Sequence, residues 1–173
     1  MVLPSRRIKL PFARSAFAAV LAGAEGGLAT TSAVACGILI SLDQPELVFI
    51  SVAVSFFVQA FNTSVSWFLV EETEEELDRS RDWRGMYLPL HSALLQFASH
   101  IVASIMIVLP LLLIDDAVLA IIVCVGLALM SLLALGALRG RLLKSDPLQD
   151  ALETAGLGAI VIAVGIISGL VLS

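Results

Sequence analysis

The sequence has few charged residues and almost no cysteine. Asp, Glu, Lys and Arg make up 14% of its 173 residues, whereas a soluble domain carries about a quarter. The two cysteines, Cys36 and Cys124, both lie in apolar runs, which argues against a disulfide framework or a thiolate metal site. The net charge of −5 gives no support for a nucleic-acid partner. Hydrophobic residues reach 59% and the mean hydropathy is +1.01, so the chain is expected to lie in lipid.

Long apolar runs are abundant, and five of them are long enough to cross a bilayer, for which about 20 residues suffice. They are predicted at residues 15–41, 47–70, 88–114, 117–138 and 151–172. The chain is therefore predicted to be an all-α, multi-pass integral membrane protein with a single five-helix domain over residues 1–173. The membrane would be the cell (inner) membrane in a prokaryote or a vacuolar-type membrane in a eukaryote.

Basic residues are missing from one side of the predicted topology. All ten fall before span 1, between spans 2 and 3, or between spans 4 and 5: Arg6, Arg7, Lys9, Arg14, Arg79, Arg81, Arg84, Arg139, Arg141 and Lys144. The opposite side carries the segments LDQPE and IDD, which have none. The positive-inside rule then predicts a cytoplasmic N-terminus and an external or lumenal C-terminus. The stretch RRIKLPFAR is interpreted as an interfacial anchor and not as a signal peptide, because the apolar run after it is too long.

One carboxylate, Glu25, lies inside span 1, in the stretch LAGAEGGLATTSAVACG. An ionised acid at this depth is costly unless it is paired, hydrated or neutralised. It could be a protonated side chain that donates one interhelical hydrogen bond, or it could be a cation or proton site. The nearby Gly23-x-x-x-Gly27 pattern favours close helix packing, and the hydroxyls that follow would supply oxygen atoms.

Spans 2 and 3 carry polar side chains at helical spacing. In span 2 they recur on one face, with Thr63 beside them: Ser51, Ser55, Gln59, Asn62 and Ser66. This stripe is consistent either with interhelical hydrogen bonding or with the lining of a wet path. In span 3, His91 and His100 are nine residues apart, which places them on opposite faces of a helix. His100 is the deeper of the two and is the candidate for carrying protons.

The segment at residues 71–87 is rich in acids and is predicted to be a cytoplasmic loop. Six of its carboxylates form a cluster: Glu71, Glu72, Glu74, Glu75, Glu76 and Asp78. Such a run is often only a solvated face, but carboxylate oxygens also suit divalent cations. If span 2 continues into the segment as a helix, Glu74 is expected to lie closest to the polar stripe. The cluster would then concentrate cations at the mouth of a path.

The stretch GAEGGLATTSAVACG resembles the first-helix signature of vacuolar iron transporter-like proteins. The matching positions are Gly23, Ala24, Gly27, Thr30, Thr31, Ala33, Val34 and Gly37. The acid-rich segment, PLHSALLQF in span 3 and LETAGLGAIVIAVGIISGL in span 5 follow in the family's order. The resemblance implies five helices, a cytoplasmic N-terminus, a dimer with the path along its axis, and export of Fe(II) or Mn(II) by proton antiport.

Three departures from the family pattern bear on the site. The signature's acid falls at Gly26, one residue after Glu25. The acid and methionine of the second-helix signature align with Gln59 and Thr63, so a soft sulfur ligand for Fe(II) is missing here. The 17-residue loop leaves no room for the family's helical cytoplasmic metal-binding domain, so the chain resembles a short form of the family.

The functional hypothesis is a divalent metal transporter that moves Fe(II) or Mn(II) out of the cytoplasm, with the metal as substrate and no cofactor. Metal ligands are predicted at Glu25, Gln59, Asn62, Thr63, Glu71, Glu72, Glu74 and Glu75, and proton coupling at Glu25 and His100. A homodimer through span 1 is expected, with Gly165-x-x-x-Gly169 as a second close-packing edge. The alternative is a membrane scaffold or assembly subunit whose polar residues are packing contacts. An enzyme is not expected, because the spans contain no Ser-Lys, Asp-Asp or HExxH arrangement.

Overall fold

The computed structural model describes residues 11–42, 44–77 and 87–173, and all secondary structure in these ranges is helical. The five helices are α1 (Pro11–Ser41), α2 (Pro45–Leu77), α3 (Tyr87–Leu113), α4 (Ala117–Leu143) and α5 (Pro147–Leu172). Each is long and apolar enough to span a membrane. The all-α, five-span fold predicted from the sequence is therefore confirmed.

The helix ends differ from the predicted spans on the side where residues 71–87 lie. Helix α2 continues through the first part of that segment to Leu77, α4 runs on to Leu143, and α5 already begins at Pro147. The side chain of Asp146 caps α5 by accepting a hydrogen bond from the backbone N of Leu148, a typical arrangement for an N-cap aspartate. Three residues therefore suffice to connect α4 to α5.

Helix α1 is the centre of the bundle. It contacts each of the other four helices, which follow one another around it in the order α2, α3, α4 and α5. Within the described ranges, α2 and α5 make no contact with each other. The ring around α1 is therefore open on one side, between α2 and α5.

Small residues bring α1, α4 and α5 into backbone contact. A Cβ atom at Gly37 would lie 2.6 Å from the carbonyl oxygen of Gly165, and one at Gly136 would lie 2.5 Å from the carbonyl oxygen of Asp150. Glycine is required where backbones approach this closely. The predicted packing role of Gly165-x-x-x-Gly169 is seen within the chain, where both glycines contact α1.

The interior on this side is apolar. Its core includes Leu28, Ile107, Leu132 and Ile162. Both cysteines are free and buried, and the thiol of Cys124 donates to the carbonyl oxygen of Ile107 at 3.4 Å. The end of the bundle that carries Arg139, Arg141 and Lys144 is called the basic end below. The main apolar core therefore lies among α1, α3, α4 and α5.

Candidate metal pathway

Polar side chains connect α1, α2 and α3 at successive levels, starting near the basic end. At the first level, the hydroxyl of Ser15 donates to Glu71 and lies 2.7 Å from the hydroxyl of Ser92. The indole Nε1 of Trp67 also donates to Glu71, at 3.1 Å. One carboxylate thus sits where all three helices meet.

The second level centres on Gln96, which is 3% exposed. Its Oε1 accepts from Ser64 at 2.5 Å, and its Nε2 donates to Thr63 at 3.0 Å. Gly23 on α1 contacts this part of α3 so closely that a Cβ there would lie 3.0 Å from the carbonyl carbon of Gln96. The side-chain amide of Gln96 therefore joins α3 to α2, while its backbone is in contact with α1.

The third level holds polar atoms without partners. His100 is completely buried, and neither ring nitrogen has a hydrogen-bond partner among the described residues; the same is true of the buried Oε1 of Gln59. Beyond them, the hydroxyls of Thr31 and Ser104 lie 2.8 Å apart. We call these ten side chains the polar ladder: Ser15, Thr31, Gln59, Thr63, Ser64, Glu71, Ser92, Gln96, His100 and Ser104.

The polar ladder ends just past the middle of the membrane. Farther from the basic end, the same three helices meet in a cluster of Ala35, Val48, Val52, Phe56 and Val108. All five are buried, so an ion has no polar partner there. Polar residues therefore line only the half of this interface nearest the basic end.

An open groove occupies the other half, in the gap between α2 and α5. It has a volume of about 420 Å³ and runs along α1 from Thr30 to Ser41, with Gln59 on one wall and Ser168 on the other. The two features meet at Gln59, which belongs to both. Together the polar ladder and the open groove extend across the full length of the bundle.

Glu25 lies away from both features. Gly26 faces the ring of His100, and adjacent residues on a helix are about 100° apart. The buried Oε1 of Glu25 has no hydrogen-bond partner within the described ranges, and Glu25 does not line the open groove. No hydrogen bond joins Glu25 to Gln59 or Asn62 in the described ranges, and its role as a metal ligand stays a prediction.

The acidic segment contributes one carboxylate to the ladder. Glu71 and Glu72 are half-buried, and Glu74 is exposed. Glu71 accepts hydrogen bonds from Ser15 of α1 and from Trp67 of its own helix. The expected closeness of Glu74 to the α2 stripe stays a prediction. The side chains of Glu75 and Glu76, together with Asp78 and the basic residues before span 1 and between spans 2 and 3, lie outside the described residues.

The predicted stripe on α2 is divided between two environments. Gln59 and Thr63 are half-buried, whereas Asn62 and Ser66 are exposed. Ser66 donates to the backbone oxygen of Asn62 at 3.0 Å, and neither side chain bonds to another helix within the described residues. Across the residues that the structure describes, no group of three or more His, Cys, Asp or Glu could hold a metal ion, so a cation here would depend on neutral ligands.

The model of the VIT family matches residues 57–170, which is more than half of the chain. The chain belongs to the VIT family. It is therefore a multi-pass membrane protein of a family that transports metal ions. None of the curated proteins compared with the chain matches it. The matched range contains every ladder residue of α2 and α3, but it leaves out α1 and therefore Glu25.

Two ladder residues of α3, Gln96 and Ser104, are functional candidates that the sequence alone did not single out. Both are buried and bonded to other helices. The spacing of four residues from Ser92 to Gln96 and of eight from Gln96 to Ser104 was the available signal, since each interval keeps the next residue on the same side of the helix. Ser15 gave no signal, because a single serine near the start of an apolar run is common.

Proposed function

We propose that this VIT family member exports a divalent metal ion, Fe(II) or Mn(II), from the cytoplasm, with the basic end on the cytoplasmic side. The observation that carries the proposal is the position of Gln59. Its Oε1 is buried without a described partner, and it lies where the polar ladder meets the open groove. An oxygen atom in that position is suited to receive an ion from one half of the path and deliver it to the other.

Entry would begin at Glu71. Carboxylates attract divalent cations, and Glu71 already accepts hydrogen bonds from Ser15 and Trp67. Glu72, Glu74 and Glu75 on the same helix would raise the local cation concentration. From there, the oxygen atoms of Thr63, Ser64 and Gln96 offer successive neutral ligands toward the middle of the membrane.

Exit would use the open groove, because the apolar cluster closes the α1–α2–α3 interface. In a single chain this groove faces lipid, where a cation is unstable. A second copy packed along α1 would cover it and bring Asn62 to the same interface. A homodimer is therefore part of the proposal.

Unpaired polar atoms favour a transporter over a scaffold. Packing contacts in a membrane are expected to pair their polar groups, since an unsatisfied group in hydrocarbon is costly. At the third level of the ladder, the ring nitrogens of His100 and the Oε1 of Gln59 are not paired within the described residues. A scaffold gives no reason to keep them so.

Metal flux into liposomes tests the proposal. Purified chain should transport Fe(II) or Mn(II), whereas protein-free liposomes should not. Gln96→Leu removes the amide that joins Thr63 and Ser64, and flux should fall about tenfold or more, as for lost supporting contacts around a metal. Thr73→Ala is the control, because that exposed hydroxyl lies outside the ladder and the groove and donates only to the backbone of its own helix. Absence of metal flux in the wild type would refute transport.

Proton coupling is proposed for Glu25, which can exchange a proton at mid-membrane. Glu25→Gln keeps the size of the side chain but cannot ionise. It should abolish flux driven by a pH gradient while thermal stability in detergent stays equal or rises, since a costly buried acid is removed. If Glu25→Gln retains full gradient-driven flux, the carboxylate is not the coupling group.

A further inference from the structure

The imidazole of His100 is the one fully buried ring in the polar ladder. It is 0% exposed, and both nitrogens are without a hydrogen-bond partner in the described part of the chain. A neutral imidazole has one N–H donor and one acceptor nitrogen, and buried polar groups are normally paired. Because both ring nitrogens are unpaired in the described part of the chain, the ring has the capacity to bind a ligand.

Gly26 leaves room beside this ring. A Cβ atom at position 26 would lie 3.4 Å from Nδ1 of His100 and 3.6 Å from Cε1. Any longer side chain would fill the space next to the nitrogen. The hydroxyl of Thr30 donates to the carbonyl oxygen of Gly26 at 2.6 Å, and Thr30 also lines the open groove. Nδ1 therefore lies beside the strip of α1 that leads into the groove.

Gln59 lies at the same depth as His100. Gln96 on α3 pairs with Thr63 and Ser64 on the antiparallel α2. One turn farther along each helix brings His100 level with Gln59. Each residue is one position from the midpoint of its membrane span. The two unpartnered side chains therefore share one level at the middle of the membrane.

We propose that His100 binds the transported cation directly through a ring nitrogen, with Gln59 as an oxygen ligand beside it. The assignment rests on the proposed transport function and narrows its substrate class. Imidazole suits Fe, Co, Ni, Cu and Zn ions, whereas Mg²⁺ and Ca²⁺ prefer oxygen ligands throughout. Mn(II) suits oxygen ligands best and would be held mainly by them. The cargo is a first-row transition metal, and the nitrogen ligand favours Fe(II) over Mn(II).

A matched pair of variants isolates this ligand. His100→Gln replaces the imidazole with an amide of similar length. His91→Gln removes the chain's other histidine, which is exposed near the start of α3. Thermal unfolding in the same detergent checks that both variants fold. With Mn(II) alone as the probe, electron spin-echo spectroscopy detects a coordinated imidazole nitrogen through its coupling to the metal.

The wild type and His91→Gln should both show imidazole coupling, and His100→Gln should lose it. Fe(II) flux through His100→Gln should fall about tenfold or more, since even outer-shell partners of metal ligands are worth that much. Wild-type flux without imidazole coupling, or coupling that survives in His100→Gln, would overturn the assignment and leave transport standing. If the wild type shows imidazole coupling but moves no metal, the proposed transport function fails and the assignment of His100 as a metal ligand stands.

Discussion

The two halves of the bundle use α1 in different ways. On the side of α4 and α5, glycine and alanine residues of α1 contact glycine residues of α5, and apolar side chains fill the remaining space. Against α2 and α3, it offers hydroxyls and glycines to a series of polar side chains. One helix therefore carries an apolar packing face and a polar face at the same depth in the membrane.

The difference separates the half that holds the chain together from the half that is proposed to contact the ion. Backbone contacts at glycine leave little freedom to move, so the α1–α4–α5 half can serve as a fixed frame, to which Gly23 and Gly27 also tie α3. Helix α2 has no glycine contact of this kind, its outer face is exposed, and among the described residues it borders polar atoms without partners. Relative motion during transport is therefore expected at α2.

The largest expected effect on stability comes from Gly165→Ala in the apolar half. The added Cβ would lie 2.6 Å from the Cα of Ala33, so α5 must move away from α1. Overpacking of this kind costs about 1–3 kcal/mol. Unfolding in a denaturing detergent series should show the loss. Gly156→Ala is the control, because no neighbouring atom lies within 4 Å of its added Cβ.

If Gly165→Ala leaves the unfolding midpoint unchanged, the rigid-frame interpretation of the α1–α4–α5 half is wrong. A loss that occurs equally in Gly156→Ala would point instead to a general effect of alanine on α5.

A smaller effect, on the KM for metal flux, is expected from Glu71→Gln at the mouth of the ladder. The amide keeps one oxygen for Ser15 and Trp67 but removes the charge that attracts a cation. The KM for metal flux should rise several-fold, and the maximal rate should change less, because later steps are untouched. Glu74→Gln, an exposed acid on the same helix, should shift KM by less. Equal shifts in the two variants would mean that the acids act only as a diffuse charge.

The smallest effect on the stability of a single chain is expected from Asn62→Leu. Asn62 is exposed on α2, and leucine suits a lipid-facing position. Monomer stability should therefore change by less than about 0.5 kcal/mol, as for other surface substitutions. In the proposed dimer the amide lies at the interface, so cross-linking yield and metal flux should both fall. An Asn62→Leu protein with normal flux and normal dimerisation would remove Asn62 from the path.

The fold was predictable because its signals are strong and local. Five apolar runs of spanning length leave little choice, and the errors concern helix ends that depend on caps such as Asp146. The site was harder. Among the described acids of the segment at residues 71–87, Glu71 is the one bonded to α1, through Ser15, and this contact depends on how distant segments of the chain pack.

Glu25 is a clearer case of a site residue whose surroundings depend on tertiary packing. Its chemistry is conspicuous in the sequence, yet its orientation around α1 is fixed by tertiary contacts of its neighbours. Gly26 faces His100, and the 100° step between adjacent residues directs Glu25 elsewhere. The unpaired nitrogens of His100 could not be read from the sequence at all, because pairing is a property of the folded bundle.

The central position of α1 has a consequence for biogenesis. Its most apolar window is half buried by protein, compared with a third or less in the other spans, and it is the least hydrophobic of the five. During synthesis α1 leaves the ribosome first, while α3, its main polar partner, is still dozens of residues away. A nascent chain stopped before α3 should therefore leave α1 loosely inserted, and stable integration should appear only once residues near Ser104 have been made.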